Sequence, residues 1–137
     1  MSDREFIDTN ILVYAFDATA GKKRAVAMDL LDRLWSARSG CLSIQVLQEF
    51  YVTLTRKLVL PSRVALAQVE HLSKWKVHRP MSEDVLSAIR FHQAVKISFW
   101  NAMVVTSAKR LGCATVWSED MSHGTDYDGV KIRNPFL

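Results

Sequence analysis

Cysteine is scarce: Cys41 and Cys113 are the only two in 137 residues, and they stand far apart. They fit no metal-ligand spacing and read as two buried thiols of a reducing compartment rather than a disulfide. Proline and glycine are scarce too, with three and five copies, which excludes collagen-like and low-complexity chains. Long apolar runs are missing. Ile11 to Phe16 and Ala102 to Val105 stop far short of the roughly 20 residues that a membrane helix needs. The start, Met1-Ser2-Asp3-Arg4-Glu5, has no basic head followed by an apolar stretch, so no secretory signal is expected. A cytoplasmic protein without a membrane partner is the expectation.

Common catalytic signatures are lacking as well. Gly21-Lys22-Lys23 has neither the preceding glycine nor the Ser or Thr of a phosphate loop. No Gly-x-Ser-x-Gly elbow occurs. His71, His78, His92 and His123 have no zinc spacing and read as surface or structural residues.

What is present is an ordinary folded composition, 49% hydrophobic and 23% charged. The length suits a single domain over 1–137. The net charge is +4, compatible with an anionic partner such as RNA or DNA without demanding one.

Short β-like runs alternate with helical patterns. Arg4 to Asp8, Cys41 to Ile44, Val77 to Arg79, Ala114 to Ser118 and Gly129 to Arg133 read as strands, and Ser122 to Asp128 as a loop. Helices are expected over 22–38, over 45–58, from Pro61-Ser62 to about Lys74, from an N-cap at Ser82 to about Lys96, and from an N-cap at Ser98 to Leu111. Trp100, Met103, Val104 and Leu111 share one face of the last, so Trp100 reads as core. Lys22 to Arg24, Arg56-Lys57 and Lys109-Arg110 read as solvated helix ends. The alternation predicts an α/β/α sandwich around a central, mostly parallel sheet, whose ligands sit beyond the carboxyl ends of the strands.

Acidic residues follow two of those strands: Asp8 the first and Asp120 the fourth. A phosphodiester is an anion, and an acidic pocket repels it unless a metal reverses the local charge. Acids at strand ends in a basic protein therefore suit a metal-dependent nuclease. Plainer roles stay open for each: Asp8 as the cap of a following turn, Glu49 as a solvated helix residue opposite the Leu47–Phe50–Leu54 stripe, Asn101 as part of the Ser98 cap, and Asp120 as a turn residue.

The segment Phe6-Ile7-Asp8-Thr9-Asn10-Ile11-Leu12-Val13-Tyr14 resembles the opening of PIN-domain ribonucleases. Leu42 to Phe50 resembles the stretch around the family's Glu, Ser98-Phe99-Trp100-Asn101-Ala102 the third-acid segment, and Trp117 to Met121 the fourth. Val130 to Phe136 resembles the usual ending. Size and ending are similar to VapC-type toxins of toxin–antitoxin pairs. The resemblance implies a PIN-like fold in which Asp8, Glu49, Asn101 and Asp120 converge on Mg²⁺ or Mn²⁺. Thr9 and Ser118 would supply supporting hydroxyls. It implies hydrolysis of RNA phosphodiesters to 5′-phosphate and 3′-hydroxyl ends, a cognate antitoxin partner and a homodimer.

At one position the chain departs from the pattern: Asn101 stands where the family has Asp. An amide oxygen can ligate a cation but brings no charge and cannot act as a base. Weakened metal binding and weakened or absent activity are expected, and a non-catalytic module that binds RNA or antitoxin is the alternative. A receiver or phosphatase on a similar sheet would want a second carboxylate beside the strand-end Asp, where Asn10 stands.

Overall fold

Phe6, Ile7, Leu42 and Val116 are wholly shielded from solvent, as strands covered by helices on both faces must be. The computed structural model describes residues 3–137; Met1 and Ser2, the start of the segment read for a leader, lie outside the described residues. In chain order the elements are β1 (Glu5–Ile7), α1 (Thr9–Phe16), α2 (Lys22–Ala37), β2 (Gly40–Ser43), α3 (Ile44–Arg56), α4 (Ser62–Leu72), β3 (Lys76–His78), α5 (Ser82–Val95), α6 (Phe99–Arg110), β4 (Thr115–Trp117), β5 (Asp126–Tyr127) and β6 (Val130–Arg133). The strands form one sheet in the order β3-β2-β1-β4-β6-β5, parallel except for the β5–β6 pair.

The order locates the site. From β1 the chain steps to β2 and then β3 on one side, and α5 and α6 carry it back to β4 on the other side of β1. Right-handed crossovers in opposite directions put their helices on opposite faces of the sheet. The crevice at this reversal, between the carboxyl ends of β1 and β4, is where an open parallel sheet takes its ligands. Phe50 and Leu54 of α3, Ile11 and Leu12 of α1, and Val104 and Val105 of α6 fill the core.

Several expectations are corrected. No helix was expected over α1, because Ile11, Leu12, Val13 and Ala15 are all buried. A short run that is apolar nearly all round shows no amphipathic period. The α5 cap lies at Met81 rather than Ser82: the Met81 amide donates to Asp84 Oδ2 at 2.8 Å, so the Asp84 carboxylate does the capping. The expected loop over 122–128 contains β5, joined to β6 by Asp128 and Gly129, both at positive φ. An Asp-Gly pair in that conformation is a tight hairpin turn; with two residues in β5 there was no alternation to announce it.

Trp100 is not core. It is 61% exposed, because it sits in the first turn of α6, ahead of the buried run that begins at Ala102. Two of the solvated basic helix ends also make ion pairs. Lys23 pairs with Glu119. Arg110 Nε donates to the buried Asp84 at 2.6 Å, and His78 Nε2 lies 3.3 Å from the same carboxylate. His78 is thereby structural, as expected, and Cys41 and Cys113 are buried free thiols.

Gly40 opens β2 beneath the Trp75 ring. A β-carbon there would stand 2.1 Å from the nearest ring atom, too close for any real contact. Gly40→Ala is expected to destabilise the protein by roughly 1–3 kcal/mol through overpacking. Thermal denaturation followed by circular dichroism checks it; an unchanged midpoint would show that the indole moves aside freely.

Candidate active site

Asp8 closes β1 and opens α1. Its backbone amide donates to Trp117 O at 2.9 Å, which ties the end of β1 to β4. Its side chain caps α1, with Oδ1 accepting from Thr9 N at 2.8 Å. The cap engages one carboxylate oxygen and leaves the other for the crevice. The other oxygen, Oδ2, accepts from Ser118 Oγ at 2.8 Å and from Asn10 Nδ2 at 3.2 Å. Asp8 is only 6% exposed.

Asp120 reaches the same network from the loop after β4. Its amide donates to Ser118 Oγ at 3.2 Å, and its Oδ2 accepts from Asn10 Nδ2 at 3.1 Å. Asn10 Oδ1 in turn accepts from Glu119 N at 3.0 Å. One amide thus stands between two carboxylates that would otherwise repel, and it pins the loop carrying the second. Glu119 adds a lateral tie, its carboxylate held by Tyr14 Oη and Lys23 Nζ.

Glu49 enters from α3. It is exposed, as the helical wheel indicates, yet it faces the same crevice. Its Oε1 accepts from Thr9 Oγ1 at 3.3 Å and from Gln45 Nε2 at 3.1 Å. Gln45 also donates to Trp100 O at 3.5 Å and so joins Glu49 to the first turn of α6. Thr9, Asn10, Glu49, Lys57, Glu119 and Asp120 line a pocket of about 340 Å³.

Asn101 lies half-buried in that first turn, its amide donating to Ser98 Oγ at 3.0 Å, so the cap reading is right for its backbone. Its side chain makes no hydrogen bond to the three acids. Asp8, Thr9, Glu49, Ser118 and Asp120 are brought into one hydrogen-bonded network, and Asn101 is its neighbour across Gln45 and Trp100. Asn10 and Gln45, the two amides that hold this network, were not singled out from sequence as site residues. The one available signal was that Asn10 follows Asp8 by two residues at a strand end.

Burial pushes the Asp8 carboxyl up to about 6, and the Asp120 and Glu49 charges act the same way against the hydrogen bonds from Ser118 and Thr9. Among the described residues no three His, Cys, Asp or Glu side chains close on one point as a metal cage. The donors are nonetheless all oxygens, and a desolvated carboxylate facing two others is the environment that a hard divalent cation relieves. The donor set fits such an ion, in an arrangement held here by hydroxyl and amide hydrogen bonds.

Acids at the reversal point of a parallel α/β sheet define a class, an α/β domain with an acidic, oxygen-lined crevice. More narrowly, the chain belongs to the PIN domain family, whose profile matches residues 6–123. Two solved structures share the fold. The crystal structure of the Mycobacterium tuberculosis toxin VapC20, described as cleaving the sarcin-ricin loop, matches at a TM-score of 0.65 and 20% identity, over 85% of this chain and 91% of that one. A toxin–antitoxin complex from Klebsiella pneumoniae matches at 0.69 and 18% identity, over 92% and 94%. No curated protein matches the chain by sequence.

The raised Asp8 pKa makes a prediction for the metal-free protein. The folded state binds this proton more tightly than the unfolded chain does. Its contribution therefore worsens as pH rises from the unfolded value through about 6 and is constant above. The full cost near neutrality is roughly 3 kcal/mol at 1.36 kcal/mol per pH unit. Asp8→Asn removes the titration, so its stability relative to the parent should improve between pH 4 and pH 7.5. Urea melts at both pH values test this; a difference that does not change with pH would show that Asp8 ionises normally.

Proposed function

We propose that the chain is a divalent-metal-dependent endoribonuclease of the VapC toxin type, with Asp8, Glu49 and Asp120 as metal-holding and catalytic residues and Asn101 as a weakened fourth. The observation that carries this reading is the single network joining three carboxylates from three separate elements at the reversal point of the sheet. Membership of the PIN family and two toxin-related structural neighbours support it.

Each residue has a part that follows from its contacts. Thr9 N and Ser118 Oγ fix the Asp8 carboxylate so that it enters the site without rotamer freedom. Asn10 keeps Asp120 turned inward and Thr9 does the same for Glu49. Lys57, on the pocket wall, offers a cation to an RNA phosphate. A bound Mg²⁺ or Mn²⁺ supplies the charge that neutralises a phosphodiester and acidifies the attacking water. The products would carry a 5′-phosphate and a 3′-hydroxyl.

A cognate antitoxin that blocks the acidic pocket with a basic group, a homodimeric state and a cytoplasmic location complete the proposal. The Klebsiella pneumoniae neighbour is itself a toxin–antitoxin complex. Among the described residues no helix is long and apolar enough to cross a membrane.

The second reading is a PIN module that binds RNA or antitoxin without cutting. It is favoured by Asn101, which lacks the charge and the basicity of an Asp. Cleavage of defined RNAs with Mg²⁺ and Mn²⁺, comparing the chain with Asn101→Asp, separates the two. Asn101→Asp should raise metal affinity and cleavage at least tenfold and lower metal-free stability near neutral pH, because it adds a fourth negative charge beside a crevice that already holds three carboxylates. Saturating metal should restore that stability, by about 2.7 kcal/mol at a hundred times Kd. An Asp variant that gains neither metal-dependent stabilisation nor activity would remove position 101 from the ligand set.

A further inference from the structure

An exposed tryptophan beside three carboxylates needs a reason. Trp100 is 61% exposed, a large apolar surface left in water at the rim of the acidic site. Its position is fixed from two directions. Phe99 packs against it edge-on, ring centroids 5.0 Å apart and planes at 70°. Gln45 holds its backbone carbonyl with the same Nε2 that donates to Glu49 Oε1. Trp100 is thus tied to the Glu49 carboxylate through a single amide. Gln45, Gln48, Glu49 and Trp100 alone line a separate pocket of about 160 Å³. The side chain of Gln48 is exposed and makes no hydrogen bond among the described residues, which leaves its donor and its acceptor to a ligand.

We propose that Trp100 and Gln48 form a nucleobase subsite for single-stranded RNA. A base stacks on the indole, and the Gln48 amide meets its polar edge, beside the acidic site of Asp8, Glu49 and Asp120. The inference rests on the ribonuclease reading and adds to it the form of RNA accepted. Every base has a face that stacks on an aromatic ring, and an amide can both donate to and accept from a base edge. A paired base inside a duplex offers neither its face nor its Watson–Crick edge. The subsite therefore selects loops and unpaired ends. Glu49 belongs to both pockets, so a base seated on Trp100 lies beside the acidic site.

The test uses the full chain and three variants, Trp100→Ala, Trp100→Phe and Gln48→Ala, each confirmed folded by its melting temperature. The probes are a fluorescein-labelled single-stranded RNA of mixed sequence and the same RNA annealed into a duplex. Binding is followed by anisotropy in EDTA, and cleavage kinetics are followed in Mn²⁺. Trp100→Ala is expected to weaken single-strand binding about tenfold or more, in line with the loss of one stacked base, and to raise KM with little change in kcat. Trp100→Phe should recover most of the affinity, Gln48→Ala should lose less and alter base preference, and duplex binding should be unmoved. Unchanged single-strand affinity and KM in Trp100→Ala would overturn the subsite, as would an equal loss on single strand and duplex. A loss confined to binding of the neighbouring encoded protein would overturn it in favour of a protein-docking tryptophan. A parent chain that neither binds nor cuts any RNA would bring down the ribonuclease reading and the subsite together. A parent that cuts RNA beside an indifferent Trp100→Ala would bring down the subsite alone.

Discussion

The carboxylate of Asp8 is held in the interior by three hydrogen bonds, and the organisation of the site follows from satisfying it. One oxygen caps α1 through Thr9 N, and the other draws in Ser118 Oγ and Asn10 Nδ2. Those partners belong to the loop after β4 and to the first turn of α1, so the burial of one charge fixes how the ends of β1 and β4 meet. The backbone bond from Asp8 N to Trp117 O completes the seam. A buried carboxylate without such partners would protonate or drag water inward.

The second constraint is electrostatic. Three carboxylates face one crevice in a chain whose net charge is +4. The excess positive charge elsewhere favours approach of a polyanion, while the crevice itself repels one. Neutral amides mediate: Asn10 between Asp8 and Asp120, and Gln45 beside Glu49. They keep the acids oriented without neutralising them, which leaves the negative potential available to a cation.

Around the site the sheet is a rigid frame. β1, β2 and β4 are short, and Phe6, Ile7, Leu42 and Val116 within them are fully buried, so the residues just past their ends have little freedom. Glu119, tied to Lys23 and Tyr14, extends that frame into the loop bearing Asp120. The α6 side is different, because its first turn projects Trp100 into solvent and is tied to α3 through Gln45 Nε2, which donates to the Trp100 carbonyl.

The alternation of strands and helices, the caps at Ser98 and Asp8 and the placement of Asp8 and Asp120 after strands were legible in the residues. Each depends on local chemistry: periodicity, a side-chain oxygen next to free amides, or an acid where an apolar run stops. The helical wheel placed Glu49 in water, where it is, while the ordered motifs pointed to the crevice it borders. Other features were not legible. The helix α1 has no polar face to give it a period. Its neighbour on the far side of the fold, Glu119, is found only once β1 and β4 lie side by side, 105 residues from Tyr14. Asn10 looked like a missing carboxylate and is instead a donor to two, a fact that requires Asp120 to arrive from 110 residues away. Trp100 shares a helical face with core residues, but whether that face is covered depends on where the neighbouring helices end. Local pattern determined the elements and the identity of the acids; long-range packing decided which donors meet those acids and which aromatic ring remains exposed, because both depend on distances that the linear order does not contain.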